Sequence, residues 1–220
     1  MSLSQIWGDF VLGEHHRENP HNPDRSGYHL FYQRLIPCSN GVIPATIRIY
    51  QVLSEPAIPC GTIVLVHGRF IYRNDIGFEI EAFHIFPYPS FPLPDTQTTD
   101  LFRSRISMIG HVLRGPTRSM TGTVLFPINS VAYVRDFLQV STVIASIVPN
   151  NRWPGGVPSP KVNSPIHVSG PIDCIDDNTK LPVITVEELI LEVGNHKLGE
   201  LAYEAMFQLA AQGMSNSQSM

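Results

Sequence analysis

The hydrophobic pattern of this chain is typical of short β-strands separated by turns. From residue 27 to residue 88, runs rich in β-branched and aromatic residues follow one another, and Gly, Pro, Asn or Asp separates each run from the next. Within the run ATIRIY, Ile47 and Ile49 point to one face while Arg48 and Tyr50 point to the other. Such alternation predicts half-buried strands rather than helices.

A proline-rich stretch interrupts this pattern in the middle of the chain. Residues 87–100 hold four prolines and show no periodicity. Because proline cannot donate to a sheet ladder, the stretch is predicted to be a stiff linker or a surface strap. A second set of alternating runs follows it. The pattern therefore predicts an N-terminal β domain over residues 1–90, a linker over 91–100 and a second β domain over 101–194.

The last part of the chain changes to a helical period. Its apolar residues recur at intervals of three and four, which predicts an amphipathic α-helix over residues 195–213. The apolar stripe either packs against its own domain or binds a partner, and the sequence leaves both open. Under the second interpretation, the partner-binding residues are Leu198, Leu201, Ala205, Met206 and Leu209.

One pair of strands occurs twice with the same layout. Residues 62–86 and 165–191 each hold an alternating strand with an internal glycine, a polar turn and a second alternating strand. The two glycines, Gly68 and Gly170, are 102 residues apart. A glycine inside a strand marks a bulge or sharp bend, which a small closed barrel needs at its corners.

In these segments the chain resembles the OB-fold, particularly the tandem single-stranded-DNA-binding barrels of the replication protein A type. Those barrels carry the pattern hydrophobic, any residue, Gly, any residue, hydrophobic in their fourth strand. The second half, about residues 100–193, resembles them better than the first, and it also looks like short fungal proteins. The resemblance implies a mainly all-β protein: two small five-stranded OB-like barrels in tandem, followed by the C-terminal α-helix. Another antiparallel barrel or sandwich is the alternative fold.

The charge and the cysteine content limit which ligands the protein is expected to bind and in which cellular compartment it is expected to lie. The formal net charge is −4, and all twelve arginines lie at or before Arg152. Any anion-binding surface is therefore expected to be local and based on arginine. Three widely spaced cysteines indicate neither a disulfide framework nor a metal motif, which fits a reducing, intracellular location. With the family resemblance, the expected location is the nucleus. No apolar run is long enough to suggest a membrane span.

No catalytic or cofactor-binding motif occurs in the sequence, so we expect no enzyme, no cofactor and no metal site. The adjacent acidic pairs, Asp176–Asp177 and Glu187–Glu188, would point to opposite sides of a strand. They are therefore not expected to converge on a substrate.

Binding of single-stranded nucleic acid requires aromatic faces for the bases and cations for the backbone. The first domain offers Tyr32, Arg34, Arg48 and Tyr50, which would form one exposed patch if their strands pair as the second and third of a barrel. The second domain offers Arg114 and Arg118 in one loop, and Arg152, Trp153 and Lys161 in another. Trp153 is either a plug over the core or a stacking platform. Tyr133 and Arg135 are weaker candidates.

The leading functional hypothesis is non-catalytic binding of single-stranded nucleic acid through base stacking and arginine–phosphate contacts, with DNA favoured as the ligand and RNA left open. The alternative hypothesis is an OB-fold interaction module that binds a protein partner, or associates with itself, through the C-terminal helix. Salt dependence separates the two: affinity for nucleic acid should fall steeply as salt rises, whereas a helix-mediated partner interface should be comparatively insensitive to salt.

Overall fold

The computed structural model describes residues 2–18, 27–88 and 102–194 of the chain. Regular structure in these ranges consists of thirteen β-strands: β1 (Leu3–Val11), β2 (His15–Glu18), β3 (Gly27–Cys38), β4 (Gly41–Val52), β5 (Ile63–Arg73), β6 (Gly77–Pro87), β7 (Arg105–Val112), β8 (Thr117–Arg118), β9 (Val124–Val134), β10 (Phe137–Ile147), β11 (Pro165–Ile175), β12 (Pro182–Thr185) and β13 (Glu188–Leu191).

Strands β1 to β6 close into a five-stranded barrel, the first barrel. β1 pairs with β5, β5 with β6, and β6 runs parallel to β4, which pairs with β3. β3 then pairs with β2, which continues the path of β1 after the short bend at residues 12–14. β1 and β2 therefore act as one long bent strand that meets both ends of the circuit.

Strands β7 to β12 repeat the same pairing as a second barrel. β7 pairs with β11, β11 with β12, and β12 runs parallel to β10, which pairs with β9. β9 pairs with the end of β7 and with the short β8, which closes the circuit. A parallel pair within an otherwise antiparallel circuit occurs at the same place in both barrels.

The two barrels share one continuous sheet. The free edge of β1 pairs with β7 in antiparallel fashion, from Leu3 opposite Ile109 to Trp7 opposite Arg105. The predicted fold class, two five-stranded barrels in tandem followed by a C-terminal α-helix, is therefore wrong as a description of the fold. Backbone hydrogen bonds join the barrels, and the described residues contain no helix. Alternation along a sequence shows which side chains face inward but not which edge a strand will pair with.

Three predicted features lie wholly or partly outside the described residues. These are the linker at 91–100, the helix at 195–213 and its partner-binding residues Leu198, Leu201, Ala205, Met206 and Leu209.

The part of the chain that the structure describes also has no helix long and apolar enough to cross a membrane.

Inward-facing side chains of both barrels form one contiguous apolar core. Ile6, Tyr32 and Phe70 in the first barrel are fully buried, as are Ile128 and Val168 in the second. Burial of such side chains is the main favourable contribution to folding, at about 1.5–3 kcal/mol for each large aliphatic or aromatic residue.

The glycine that occurs in the repeated segment has a steric role in each barrel. A Cβ atom on Gly68 would lie 2.3 Å from the carbonyl oxygen of Glu81, and one on Gly170 would lie 1.9 Å from that of Thr185. The neighbouring strand approaches so closely that no side chain fits. This close approach lets each barrel turn its corner.

Candidate functional site

The four predicted residues of the first barrel do not form one exposed patch. Tyr32 is fully buried, and its hydroxyl donates a hydrogen bond to the carbonyl oxygen of Ile58 at 3.1 Å. Burial raises the pKa of Tyr32, although that hydrogen bond opposes the shift. Arg34 is half-buried, and burial lowers its pKa. Tyr50 alone is well exposed, at 50%.

Arg48 belongs to a cluster of ion pairs that lies between the two barrels. Its Nε donates to Glu81 at 2.6 Å, and its Nη1 donates to Asp136 at 3.2 Å. Burial alone would lower the pKa of Arg48, but the two carboxylates outweigh burial and raise it. Arg135 forms the companion ion pair with Glu79. Arg48 therefore joins the barrels and is not available to a phosphate group.

The turn between β9 and β10 carries this cluster across the barrel boundary. Arg135 and Asp136 both have left-handed backbone conformations, with φ of 50° and 67°. Such conformations are costly for residues other than glycine and persist where the surroundings fix them. Here the ion pairs to Glu79 and Arg48 hold the turn against the first barrel.

A cleft of about 920 Å³ opens on the outer face of the second barrel. The segment between β7 and β9 forms one wall, the loop between β11 and β12 forms the opposite wall, and β9 and β10 form the floor. Leu125, Pro127 and Ile144 are the apolar floor residues, while Asn40 and Asn74 reach the cleft from the first barrel. OB barrels hold oligonucleotides at this position, on the second and third strands between these two loops.

The two walls of the cleft carry opposite charge. Arg114 lines the wall between β7 and β9, and Arg118 lies on the same segment; both are exposed and form no ion pair with a described residue. Asp173, Asp176 and Asp177 line the other wall. Hydrogen bonds from Thr179 lower the pKa of Asp176, so this carboxylate stays ionised. An anionic ligand would thus be drawn to one wall and repelled by the other.

An exposed apolar strip lies farther along β9 and β10, beyond the polar pair of Asn129 and Thr142 that separates it from the cleft floor. Tyr133 and Leu138 are direct cross-strand partners, and they are 52% and 73% exposed. Val140, on the same face of β10 as Leu138, is 61% exposed. A flat run of exposed apolar side chains beside an aromatic ring can carry stacked bases.

The second predicted loop has a different role from the first. Trp153 packs against the hydrophobic core, and the guanidinium of Arg152 lies 5.2 Å from the centre of its ring. Neither residue lines the cleft, and neither does Lys161, which is exposed. Of the two interpretations of Trp153, the structure therefore favours the plug over the core.

The sequence pattern does not identify the exposed strip as a binding surface. Of its residues, only Tyr133 is a candidate from sequence, and a weaker one. The signal was available in the alternation of β10. Val140 and Leu138 are apolar residues at positions where the period of two requires outward-facing, polar side chains. A period of two marks a face as outward without showing whether another element covers it.

The pairing scheme and the position of the cleft define an OB-fold β-barrel protein. Solved structures similar to this chain include the wild-type single-stranded DNA binding protein from Thermus aquaticus, with a TM-score of 0.53 and 12% identity over 88% of this chain and 95% of that chain. A deletion mutant of that protein gives a TM-score of 0.51 and 12% identity, over 88% of this chain and 96% of the other. No protein-family model and no curated protein matches the sequence. At this identity the likeness shows the fold.

Proposed function

We propose that this protein binds single-stranded nucleic acid, without catalysis, on the outer face of β9 and β10. One observation carries the proposal: an exposed apolar strip and a cleft lie on the same outer face of β9 and β10, and Arg114, which is exposed and forms no ion pair with a described residue, lines one wall of the cleft. The structural likeness to proteins described as single-stranded DNA binding supports it, and so does the resemblance to the replication protein A type.

The charge distribution suggests how the strand would lie. Its phosphates would follow Arg114 and Arg118, because Asp173 and Asp177 on the opposite wall repel them. The bases would then face the floor and stack on Tyr133 and the neighbouring aliphatic side chains. Each stacked base contributes about 1–3 kcal/mol, so a few contacts suffice for sequence-tolerant binding.

The test is fluorescence anisotropy of a labelled DNA strand of about 10 nucleotides, the range that one OB barrel covers. Tyr133→Ala should weaken binding about tenfold, through loss of one stacked base. Replacement of both Arg114 and Arg118 by Ala should weaken it further. Asp177→Asn should instead strengthen binding, because it removes a negative charge that repels the phosphates.

Arg103→Ala is the matched control, since Arg103 is exposed, lies outside the cleft and forms no ion pair with the described residues. An equal loss in the control would show that any surface arginine contributes, and the cleft would lose its assignment. Absence of binding by the unmodified protein at low salt would refute the proposal. An RNA strand of the same sequence, titrated in parallel, tests the preference for DNA.

A further inference from the structure

A row of four rings crosses the outer face of β5 and β6 in the first barrel. Its members are Phe83, His67, His84 and Phe86, and we call this row the ring ladder. Successive ring centres lie 5.7 Å, 5.9 Å and 5.9 Å apart. The ring planes of His67, His84 and Phe86 are nearly parallel, at 12° and 15° to their neighbours. The ladder lies away from the cleft and contributes none of its lining residues.

A β-bulge builds the ladder. His67 pairs with His84 and Gly68 pairs with Ala82, so Phe83 is an extra residue in β6. Two consecutive residues, Phe83 and His84, thereby both bring their rings against His67. The missing side chain of Gly68 permits the close backbone approach on which the bulge depends.

The ladder is open to solvent although it is aromatic. Phe83 is 40% exposed and Phe86 is 56% exposed, while Phe70 and Phe78 on the inner side of the same two strands are fully buried. Rings held apart in a near-parallel series present π-faces and edges to a ligand. Every nucleic-acid base can add to such a series, because every base has a π-face.

A cation that could meet a phosphate group lies beside the ladder. The guanidinium of Arg69 lies 5.0 Å from the centre of the Phe83 ring and forms no ion pair with a described residue. Its cross-strand neighbour Glu81 is held by Arg48. Asp9 on the adjoining strand accepts hydrogen bonds from the Tyr88 hydroxyl and the Phe102 backbone N–H. Arg69 is therefore a cation beside the ladder without a carboxylate partner among the described residues, whereas Asp9, whose hydrogen-bond donors are neutral, keeps its negative charge.

We infer that the ring ladder is a second contact surface for single-stranded nucleic acid, on which bases beyond those held by the second barrel stack. This inference rests on the function proposed above. It predicts that a long strand contacts both barrels, whereas a short strand is held by the β9–β10 face alone.

The test compares DNA strands of about 10 and about 30 nucleotides, which cover one OB barrel and more than one. Joint replacement of Phe83 and Phe86 by Ala should weaken binding of the long strand about tenfold and leave the short strand unaffected. The control replaces Leu35 and Val42 by Ala, since both are exposed apolar residues of the first barrel outside the ladder. It should change neither affinity.

Trp7 supplies a local readout, because it is the cross-strand partner of His67 on the outer face. In a Trp153→Phe background Trp7 is the sole tryptophan. The long strand should quench its fluorescence, and the short strand should not.

The outcomes separate the two proposals. If the short strand binds but ladder variants bind the long strand normally without quenching of Trp7, the inference fails and the proposed function stands. If neither strand binds, both fail. If sedimentation shows that the ladder variants dissociate an oligomer while DNA affinity is unchanged, the ladder belongs to a contact between copies, and the inference is overturned.

Discussion

The two barrels share one pairing scheme but expose different outer surfaces. Around the equivalent glycines, His67 and Arg69 flank Gly68 in the first barrel, whereas Ser169 and Pro171 flank Gly170 in the second. The first barrel thus carries aromatic rings and a cation on the strands where the second carries small or rigid side chains. The second and third strands, which form the ligand face of an OB barrel, show the reverse difference: here it is the second barrel that exposes its surface.

On the strands that form the ligand face of an OB barrel, the second barrel is exposed to solvent, whereas the first barrel is partly covered by the second. The β9–β10 turn lies against β4 and β6 of the first barrel, where Arg135 and Asp136 meet Glu79 and Arg48. The corresponding β9–β10 face of the second barrel carries exposed apolar side chains and, farther along, the cleft. Inward-facing residues fix the barrel, so outward-facing residues are free to diverge, and the two barrels present different outer surfaces.

The largest expected effect tests the feature that the barrels share. Gly170→Ala and Gly68→Ala should each destabilise the protein by about 3 kcal/mol, because the added methyl group would overlap a backbone carbonyl. Gly115→Ala is the control, since the nearest atom to its Cβ is 4.0 Å away. Urea unfolding measures all three. Similar stability of Gly68→Ala and Gly115→Ala would contradict the steric account.

The second prediction concerns the ion cluster that joins the barrels. Glu79→Gln should cost about 3 kcal/mol, because it leaves the partly buried Arg135 without its carboxylate partner. Asp75→Asn removes a carboxylate from the exposed pair with Arg73 and should cost much less, because water screens so exposed a pair. Urea unfolding monitored by the fluorescence of Trp7 and Trp153 measures both losses. Equal costs would show that the cluster is an ordinary surface feature.

The residues of the repeated segment could be predicted from sequence, and those of the barrel boundary could not. The strands around Gly68 and Gly170 follow from alternation and from the need for a bend. The roles of Arg48 and Tyr32 depend on which residues pack against them in the folded protein. Tyr32 lies inward, and Arg48 meets Asp136, which is 88 residues away in the chain. A local pattern holds no information about a partner so distant.

The same reasoning explains the candidate site. The sequence indicated Arg114 and Arg118 because they follow the first strand of the second barrel in a polar loop; the structure places Arg114 in one wall of the cleft and Arg118 on the same segment, outside the lining. It gave no reason to select Phe83, since the bulge that turns this ring toward His67 arises from pairing between two strands. Solvation of an outward face is settled by tertiary packing.

The third prediction contrasts charge with stacking. Replacement of Arg114 and Arg118 by Ala should reduce the slope of log affinity against log salt by about 2, one for each lost phosphate contact. Replacement of Phe83 and Phe86 by Ala should lower affinity for the long strand and leave that slope unchanged, because no charge is removed. Anisotropy titrations over a salt series measure both slopes. A parallel fall in the two slopes would contradict the division between the two surfaces.

The smallest expected effect is the pH dependence that His67 contributes to stability. Burial, and then the charge of the neighbouring His84, lower the pKa of His67 below its ordinary value of 6.5. The unfolded chain therefore binds a proton at this residue more readily than the folded chain does. The contribution is fully present above pH 6.5 and is lost as the pH falls through 6.5 toward the folded pKa.

His67→Gln should therefore flatten the decline in urea-unfolding free energy below pH 6.5, compared with the unmodified protein. His111→Gln is the control, because His111 is an exposed histidine of the second barrel that has no place in the ladder. The same titration in the presence of the long DNA strand adds a second comparison. If bases cover the ladder, they exclude water from His67 but bring phosphates near it, so bound DNA should change the pH dependence in the unmodified protein and not in His67→Gln. A change of equal size in both proteins would place the bound strand elsewhere.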